Sequence, residues 1–468
     1  MTFIRLLRYP PRLWPTLSLS TGEGSVLFMG AFIISAAMGV VRQILFNARF
    51  GIGEEAAALY AAFRLSETVS TLIAGGVLTN ALTPYVLLAA RKGHTAVSLL
   101  ISRMLSLMLV VALLVTLLLV ITAPWLLRWI IAPGLDQATQ ELATLLTRIL
   151  ATEIVLQITN GVLSAVLIAR GQFFLPALGI ALRNTLIIVS LLLPQATIIT
   201  AAIGSLGDSV IQLLILIPGL IHHRLHLRLS RQWRDPLVQG TLQLVIPGAI
   251  SSTINYGNAV VDTAIASLGA QAAGLGAMHN ALLLGHLPQR LCGTAIGQAA
   301  FPHLAVAAIT RNRHLFRQRW MAATGVAIGL ATLSSLALAL GGRWLIALLF
   351  ERGAFDQTAG DLTFAILLIF VLGLPLYVMV EITGRALVAL GDARTPLLAN
   401  TAQLVSRIIV ATVCWPLIGV LAVPVATVAS SAIEAFILSG VLLNWLREPT
   451  TWRVSSITDQ IESHVVLE

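Results

Sequence analysis

Between residues 24 and 446, apolar runs long enough to cross a bilayer follow one another with only short polar breaks between them. A helix needs about 20 apolar residues to span the hydrocarbon core. With no water there, only helices and closed barrels can satisfy their backbone groups. A barrel would alternate apolar and polar side chains over stretches of about ten residues, and this chain does not. The expected fold is an all-α polytopic membrane protein. About twelve spans are predicted, at roughly 24–47, 56–90, 96–123, 139–169, 174–194, 197–221, 237–268, 273–305, 316–340, 358–389, 395–415 and 417–446. Pro247, Pro288, Pro375 and the Gly75-Gly76 pair fall inside spans and predict kinks.

The chain also repeats itself. Shifted by 218 positions, the stretch from Ser35 to Ala90 falls on a second helix pair: Gly39 meets Gly257, Gly51 meets Gly269, Gly75 meets Gly293 and Pro84 meets Pro302. At an offset of 220, Gly171 and Pro176 meet Gly391 and Pro396. Duplicated bundles with polar groups at membrane depth are a transporter plan. The reading is two six-span lobes, 24–221 and 237–447, joined by a basic cytoplasmic linker, 222–236. Residues 1–23 and 448–468 are polar cytoplasmic tails, and no cleaved signal is read in the first.

With 57% hydrophobic and 10% charged residues, a soluble domain is excluded. The net charge of +9 does not imply nucleic acid. Its arginines sit in short loops on one side: Arg91, Arg170, the run from Arg224 to Arg234, Arg311 to Arg319, and Arg394. That asymmetry follows the positive-inside rule and puts both termini in the cytoplasm, in a plasma (inner) membrane. Cys292 and Cys414 are isolated in apolar spans and read as packing residues, not a disulfide or metal site. No nucleotide-binding loop, metal-ligand spacing or nucleophile motif is present, so neither an enzyme nor a cofactor is expected.

What remains is polar residues inside spans, where an arginine at the centre costs about 2.5–3.5 kcal/mol on insertion scales. Such residues should face a watered, protein-lined cavity. Arg42 lies on span 1; Arg64 and Glu67 share a face of span 2, as a self-neutralising i,i+3 pair or as a functional one. Asn255, Asn258 and Asp262 make a polar stripe on span 7, and His279, His286 and Arg290 another on span 8. A lone membrane histidine is more often a hydrogen-bonded core residue than a relay. Arg290 has no acidic residue near it in sequence. Glu381 and Arg385, Glu153 with Gln157 and Asn160, and Asp208 with Gln212 read as helix-packing contacts.

The stretches GVVRQILFNARFGIG (39–53), APGLDQATQELATLLTRI (132–149), AVLIARGQFFLPAL (165–178), HLPQRLCGTAIGQAAFPHLA (286–305), LFERGAFDQ (349–357) and GRALVALGDARTP (384–396) resemble the MurJ/MviN family. These are the lipid II flippases of the multidrug/oligosaccharidyl-lipid/polysaccharide exporter superfamily. The resemblance implies two lobes around a central cavity that opens alternately to each side, and an outward-moving polyprenyl-diphosphate-linked sugar as cargo. A bare diphosphate cannot enter hydrocarbon, and guanidinium groups supply its counter-charge and paired donors. By the resemblance Arg42 matches a cavity arginine and Arg64 a basic position, whereas Gln43 replaces an acid. Other family arginines fall on Ala36, on Ser70 or Thr71, and on Leu283; Arg290 has no family counterpart. The family's two further C-terminal helices are not matched.

The substrate-facing set predicted is therefore Arg42, Arg64, Arg290, His286, Asn255, Asn258 and Asp262, with Glu67, Glu381 and Arg385 in structural pairs. The expected function is flipping of lipid II by a monomer in contact with membrane lipids, with the coupling ion open. Two alternatives stay open beside it: a diverged exporter of another lipid-linked oligosaccharide or amphiphile, and a non-transporting paralogue that binds lipid-linked precursors.

Overall fold

The computed structural model describes residues 21–74, 77–91, 93–223, 230, 232–268 and 273–447. Among them every regular element is a helix. Eight segments are long and apolar enough to cross a membrane, and a ninth, 357–389, is a pair bent by 45°. One of the eight, Arg394–Arg447, holds two of the expected spans. It turns at Gly419, and its halves Arg394–Ile418 and Ala422–Arg447 lie along one another. The positions of the expected second and seventh spans, helices Glu54–Ala74 and Pro236–Ser267, are not among the eight. They carry the polar residues singled out above. The Gly75-Gly76 kink lies outside the described residues.

Many large apolar side chains are turned outward. Leu113, Leu117, Leu118 and Ile121 on one helix, and Leu333, Leu336 and Leu340 on another, are all exposed. Such surfaces suit a hydrocarbon solvent, which does not penalise them. Together with the spans, this makes the chain an integral membrane protein.

By packing, the chain divides into two compact units: residues 1–264 with Arg352–Phe355, and 265–351 with 356–468. In the first unit we number α1 (Thr21–Phe50), α2 (Glu54–Ala74), α3 (Val77–Arg91), α4 (His94–Leu126), α5 (Gln137–Ala169), α6 (Phe174–Ala181), α7 (Thr185–Leu192), α8 (Ile198–His222) and α9 (Pro236–Ser267). Helix α5 is the hub, packed against α2, α3, α4 and α8. Helix α2, which packs against it, carries Ala56, Ala57, Ala58, Ala61 and Ala62, all fully buried, and such small side chains let helix backbones come close. Asp136 starts α5 by accepting from the Ala138 and Thr139 N–H groups at 3.1 and 3.3 Å. Hydrogen bonds from the Thr139 side chain and from these amides hold its carboxyl below the ordinary value. The stability this cap contributes is present above the ordinary carboxylate range and is lost as pH falls through the lowered pKa.

The second unit contains α10 (Ala273–Gln289), α11 (Ile296–Ile309), α12 (Arg313–Phe350), α13 (Gln357–Leu372), α14 (Leu374–Ala389), α15 (Arg394–Ile418) and α16 (Ala422–Arg447). Just after Pro288, α10 widens into a π-helical turn, Arg290–Ala295.

The Gly-Ile-Gly turn after α1 has a tertiary reason. Gly51 is left-handed (φ 60°), and a Cβ there would lie 2.5 Å from the Ala354 carbonyl oxygen. Gly353 is also left-handed (φ 62°), and Ala354 N–H donates to Ala48 O at 2.8 Å. Two motifs some 300 residues apart in sequence thus form one backbone joint within the first unit, closed by buried Phe355. Replacing Gly51 with Ala adds a strained φ and a backbone clash. The expected loss is about 1–3 kcal/mol, read as a lower unfolding midpoint in detergent. Gly53→Ala, where open space surrounds the added methyl, serves as the control.

Candidate functional site

The polar groups of the first unit gather where span 5 is broken. The apolar run 174–192 is not one helix but α6 and α7, separated by Leu182, Arg183 and Asn184. Asn184 takes a left-handed backbone (φ 86°), which asparagine tolerates better than most residues. Two interactions hold the break. Asp208 on α8 accepts from Leu186 N–H at 2.7 Å and Ile187 N–H at 3.3 Å, satisfying the free amides at the start of α7. Gly204, one turn earlier, lets α8 approach: a Cβ there would be 2.8 Å from the Ile187 Cα. The sequence reading placed Asp208 with Gln212 as a local contact; its partners are the α7 amides.

Arg42 joins this break from α1. Its Nη1 donates to Asn184 Oδ1 at 2.9 Å, and Asn184 Nδ2 donates to Ser35 O at 3.4 Å. Arg183, Asp208 and Glu67 lie within electrostatic reach of the Arg42 guanidinium, as does Tyr60. The next residue, Gln43, is buried and donates to Asn47 Oδ1 at 2.9 Å and to Tyr60 Oη at 2.7 Å. A neutral network therefore occupies the position at which the resemblance expects an acid.

Arg64 stands further along α2. Its Nη1 lies 3.5 Å from Glu67 Oε2, and its Nε donates to Thr263 Oγ1 on α9 at 3.1 Å. Asp262, beside Thr263, is buried, and Asn258 one turn away is half-buried; the Asn255 side chain lies outside the described residues. The first unit thus joins Arg64 to Glu67 and to Thr263 on α9, with Glu67 also within electrostatic reach of Arg42. Glu153 accepts from Ser209 Oγ at 2.7 Å and Gln157 Nε2 at 2.9 Å, a packing network between α5 and α8.

Arg290 and His286 belong to the second unit. Arg290 opens the π-helical turn and is exposed; His286 meets the Phe370 ring edge-on at 5.5 Å. Arg385 pairs with Glu381 at 2.6 Å. Two charged residues absent from the sequence reading are buried nearby. Arg407 on α15 donates to Ser430 Oγ at 3.5 Å, and Glu434 on α16 lies within electrostatic reach of both Arg407 and Glu381. Their signal was visible, because each is a lone charge in an apolar run. Among the described residues no three His, Cys, Asp or Glu side chains could hold a metal ion.

The profile described as "Lipid II flippase MurJ" matches residues 46–456, nearly the whole chain. The chain belongs to the MurJ family. This is a family of transporters, not of enzymes, and it places the protein in the cytoplasmic membrane. The lipid II flippase MurJ of Burkholderia cenocepacia is 26% identical over 83% of this chain and 77% of its own length. The probable MurJ of Rhizobium tropici is likewise 26% identical, over 79% and 70%. Among solved structures, a lipid II flippase MurJ in an inward closed conformation superposes with TM-score 0.78 at 22% identity, covering 89% of this chain and 87% of that one. A multidrug-resistance MATE transporter, inward-facing, gives 0.74 at 15% identity, covering 92% and 99%. At these identities the likenesses show the fold, which MurJ shares with the wider exporter superfamily.

Asn184 does two jobs, and two substitutions separate them. Asn184→Gly keeps the left-handed backbone and loses the side-chain bonds to Arg42, a charge-assisted contact of about 1.5–3 kcal/mol, and to Ser35 O. Asn184→Ala loses the same bonds and adds about 1–2 kcal/mol of backbone cost. The unfolding midpoint should fall in the order wild type, glycine, alanine; equal midpoints for all three would remove the joint from the fold's energetics.

Proposed function

We propose that this chain is a flippase that moves lipid II, a polyprenyl-diphosphate-linked peptidoglycan precursor, across the cytoplasmic membrane by alternating access. The observation that carries the reading is the match to the MurJ family over residues 46–456. The polar chemistry of the first unit supports it. Arg42 stands inside an apolar span, where a cation without an aqueous or anionic partner is costly, and Arg64 stands on the polar helix beside it. A diphosphate head group offers such a partner, and guanidinium groups bind it in paired fashion. The polyprenyl tail stays in lipid while the head crosses.

In this reading Arg42, Arg64, Asn255, Asn258 and Asp262 contact the head group or its water, and Arg290 and His286 serve the second repeat. Glu67, Glu381 and Arg385 keep the charges paired. The repeats are the lobes 24–221 and 237–447, the linker 222–236 and both termini are cytoplasmic, and the working unit is a monomer.

A second reading rests on Gln43. Its neutral bonds to Asn47 and Tyr60 favour a diverged exporter of another lipid-linked oligosaccharide or amphiphile. One complementation series separates the two. The wild-type chain should sustain cells depleted of their own lipid II flippase, and Arg42→Ala should not, at equal expression. Full rescue by the Arg42 variant would remove that residue's role. Failure of the well-expressed wild type would favour the second reading.

A further inference from the structure

The end of the linker is tied down within the first unit. Arg103, in the N-terminal part of α4, pairs with Asp235 and donates to Gln232 Oε1. One turn along α4, Ser106 Oγ accepts from Ser230 N–H at 2.9 Å, and Trp233 Nε1 donates to Ser230 O at 2.9 Å. Asp235 also accepts from Leu237 N–H at 2.9 Å and so caps α9.

Arg103, Gln232, Trp233, Arg234 and Asp235 line an open cavity of about 420 Å³. Its charges do not cancel. Arg103 and Asp235 neutralise each other. Arg234 is exposed and has no hydrogen bond or ion pair among the described residues. The cavity therefore keeps one uncompensated guanidinium, beside an indole whose N–H is already bonded to Ser230.

The outward surface of α4 and of the turn after it shows at what depth this cavity lies. Exposed apolar side chains run from Val110 through Leu113, Leu117 and Ile121 to Ile130. At 1.5 Å per residue they cover about 30 Å, the thickness of the hydrocarbon core. Exposed Trp125 and Trp129 mark its outer border, as interfacial tryptophans do. On the other side of Val110, Leu99 is the one exposed large apolar side chain of α4. The inner border thus falls near Val110, and Arg103 lies about 10 Å beyond it, within side-chain reach of the inner-leaflet phosphates.

We propose that this cavity binds the phosphate of an acidic phospholipid of the inner leaflet, one whose head group carries a single phosphodiester and no amine. The proposal rests on the reading of the linker as cytoplasmic and goes beyond transport, since this lipid is a resident of the membrane and not the cargo. Basic pockets between helices on the cytoplasmic side recognise such head groups. Arg234 supplies paired, charge-assisted donors to the phosphate, and Trp233 an amphipathic ring for the glycerol region. An ethanolamine head group would bring an ammonium to a cavity whose carboxylate, Asp235, is already taken by Arg103 and Leu237. Occupied, the site braces the segment that starts α9, the helix whose Thr263 meets Arg64.

The test is native mass spectrometry of the full-length protein titrated with phosphatidylglycerol and with phosphatidylethanolamine of the same acyl chains. Wild type should retain phosphatidylglycerol preferentially. Arg234→Gln should weaken that retention about fivefold, the contribution of one interfacial arginine, and leave phosphatidylethanolamine unchanged. Asp235→Asn keeps a capping residue and removes the neutralising charge, so it should tighten phosphatidylglycerol. Arg317→Gln, the same change at an exposed position of α12 outside the cavity, should alter neither lipid. No loss in Arg234→Gln, or an equal loss in the Arg317 variant, overturns the site. Displacement of the lipid by inorganic phosphate overturns the lipid as its ligand. Orientation is read separately: Gln232→Cys should react with a membrane-impermeant maleimide only after cells are opened. Labelling of intact cells overturns the cytoplasmic linker, and with it the inner leaflet, whatever the lipid preference.

Discussion

A carboxylate set against the start of a half-helix is the interaction on which the polar chemistry of the first unit depends. A helix broken inside a membrane leaves amide groups with no water to meet, each costing several kcal/mol. Asp208 accepts from two of them, Leu186 and Ile187 N–H. Without that, the run 174–192 would be most stable as one unbroken apolar helix. With it, Leu182 to Asn184 can leave the helix, and Asn184 can present its side-chain oxygen to Arg42. The negative charge is thus spent on the backbone, and Arg42 bonds a neutral amide instead.

The second unit handles its charges differently. Glu381 and Arg385 neutralise one another one turn apart on the same helix, a pairing readable from the i,i+4 spacing. Arg407 and Glu434 lie on α15 and α16, the two halves of the fold at Gly419, and are buried by the packing of those halves. The duplication visible in the sequence repeats the helix pairs and their glycines. It does not repeat the charge arrangement, and only the first unit carries a left-handed asparagine between two half-helices among the described residues.

Family motifs acquire physical content in the same way. The glycine after α1 and the Arg-Gly-Ala-Phe segment, 352–355, share one joint, where two left-handed glycines let backbones touch. Neither motif explains its glycine alone. Each needs the other's carbonyl as the atom a side chain would strike.

The sequence by itself determined the class: apolar length without barrel alternation makes an all-α membrane protein, and the ordered motifs place it in its family. It determined pairs within one helix as well, since Arg64–Glu67 and Glu381–Arg385 follow from a period of 3.6 residues. Tertiary structure decided what each polar group meets across helices: Asp208 with α7, Arg42 with Asn184, Arg64 with Thr263. The reason is geometric. Helical periodicity says which side chains share a face, whereas the facing partner depends on which helix packs there and where that helix breaks.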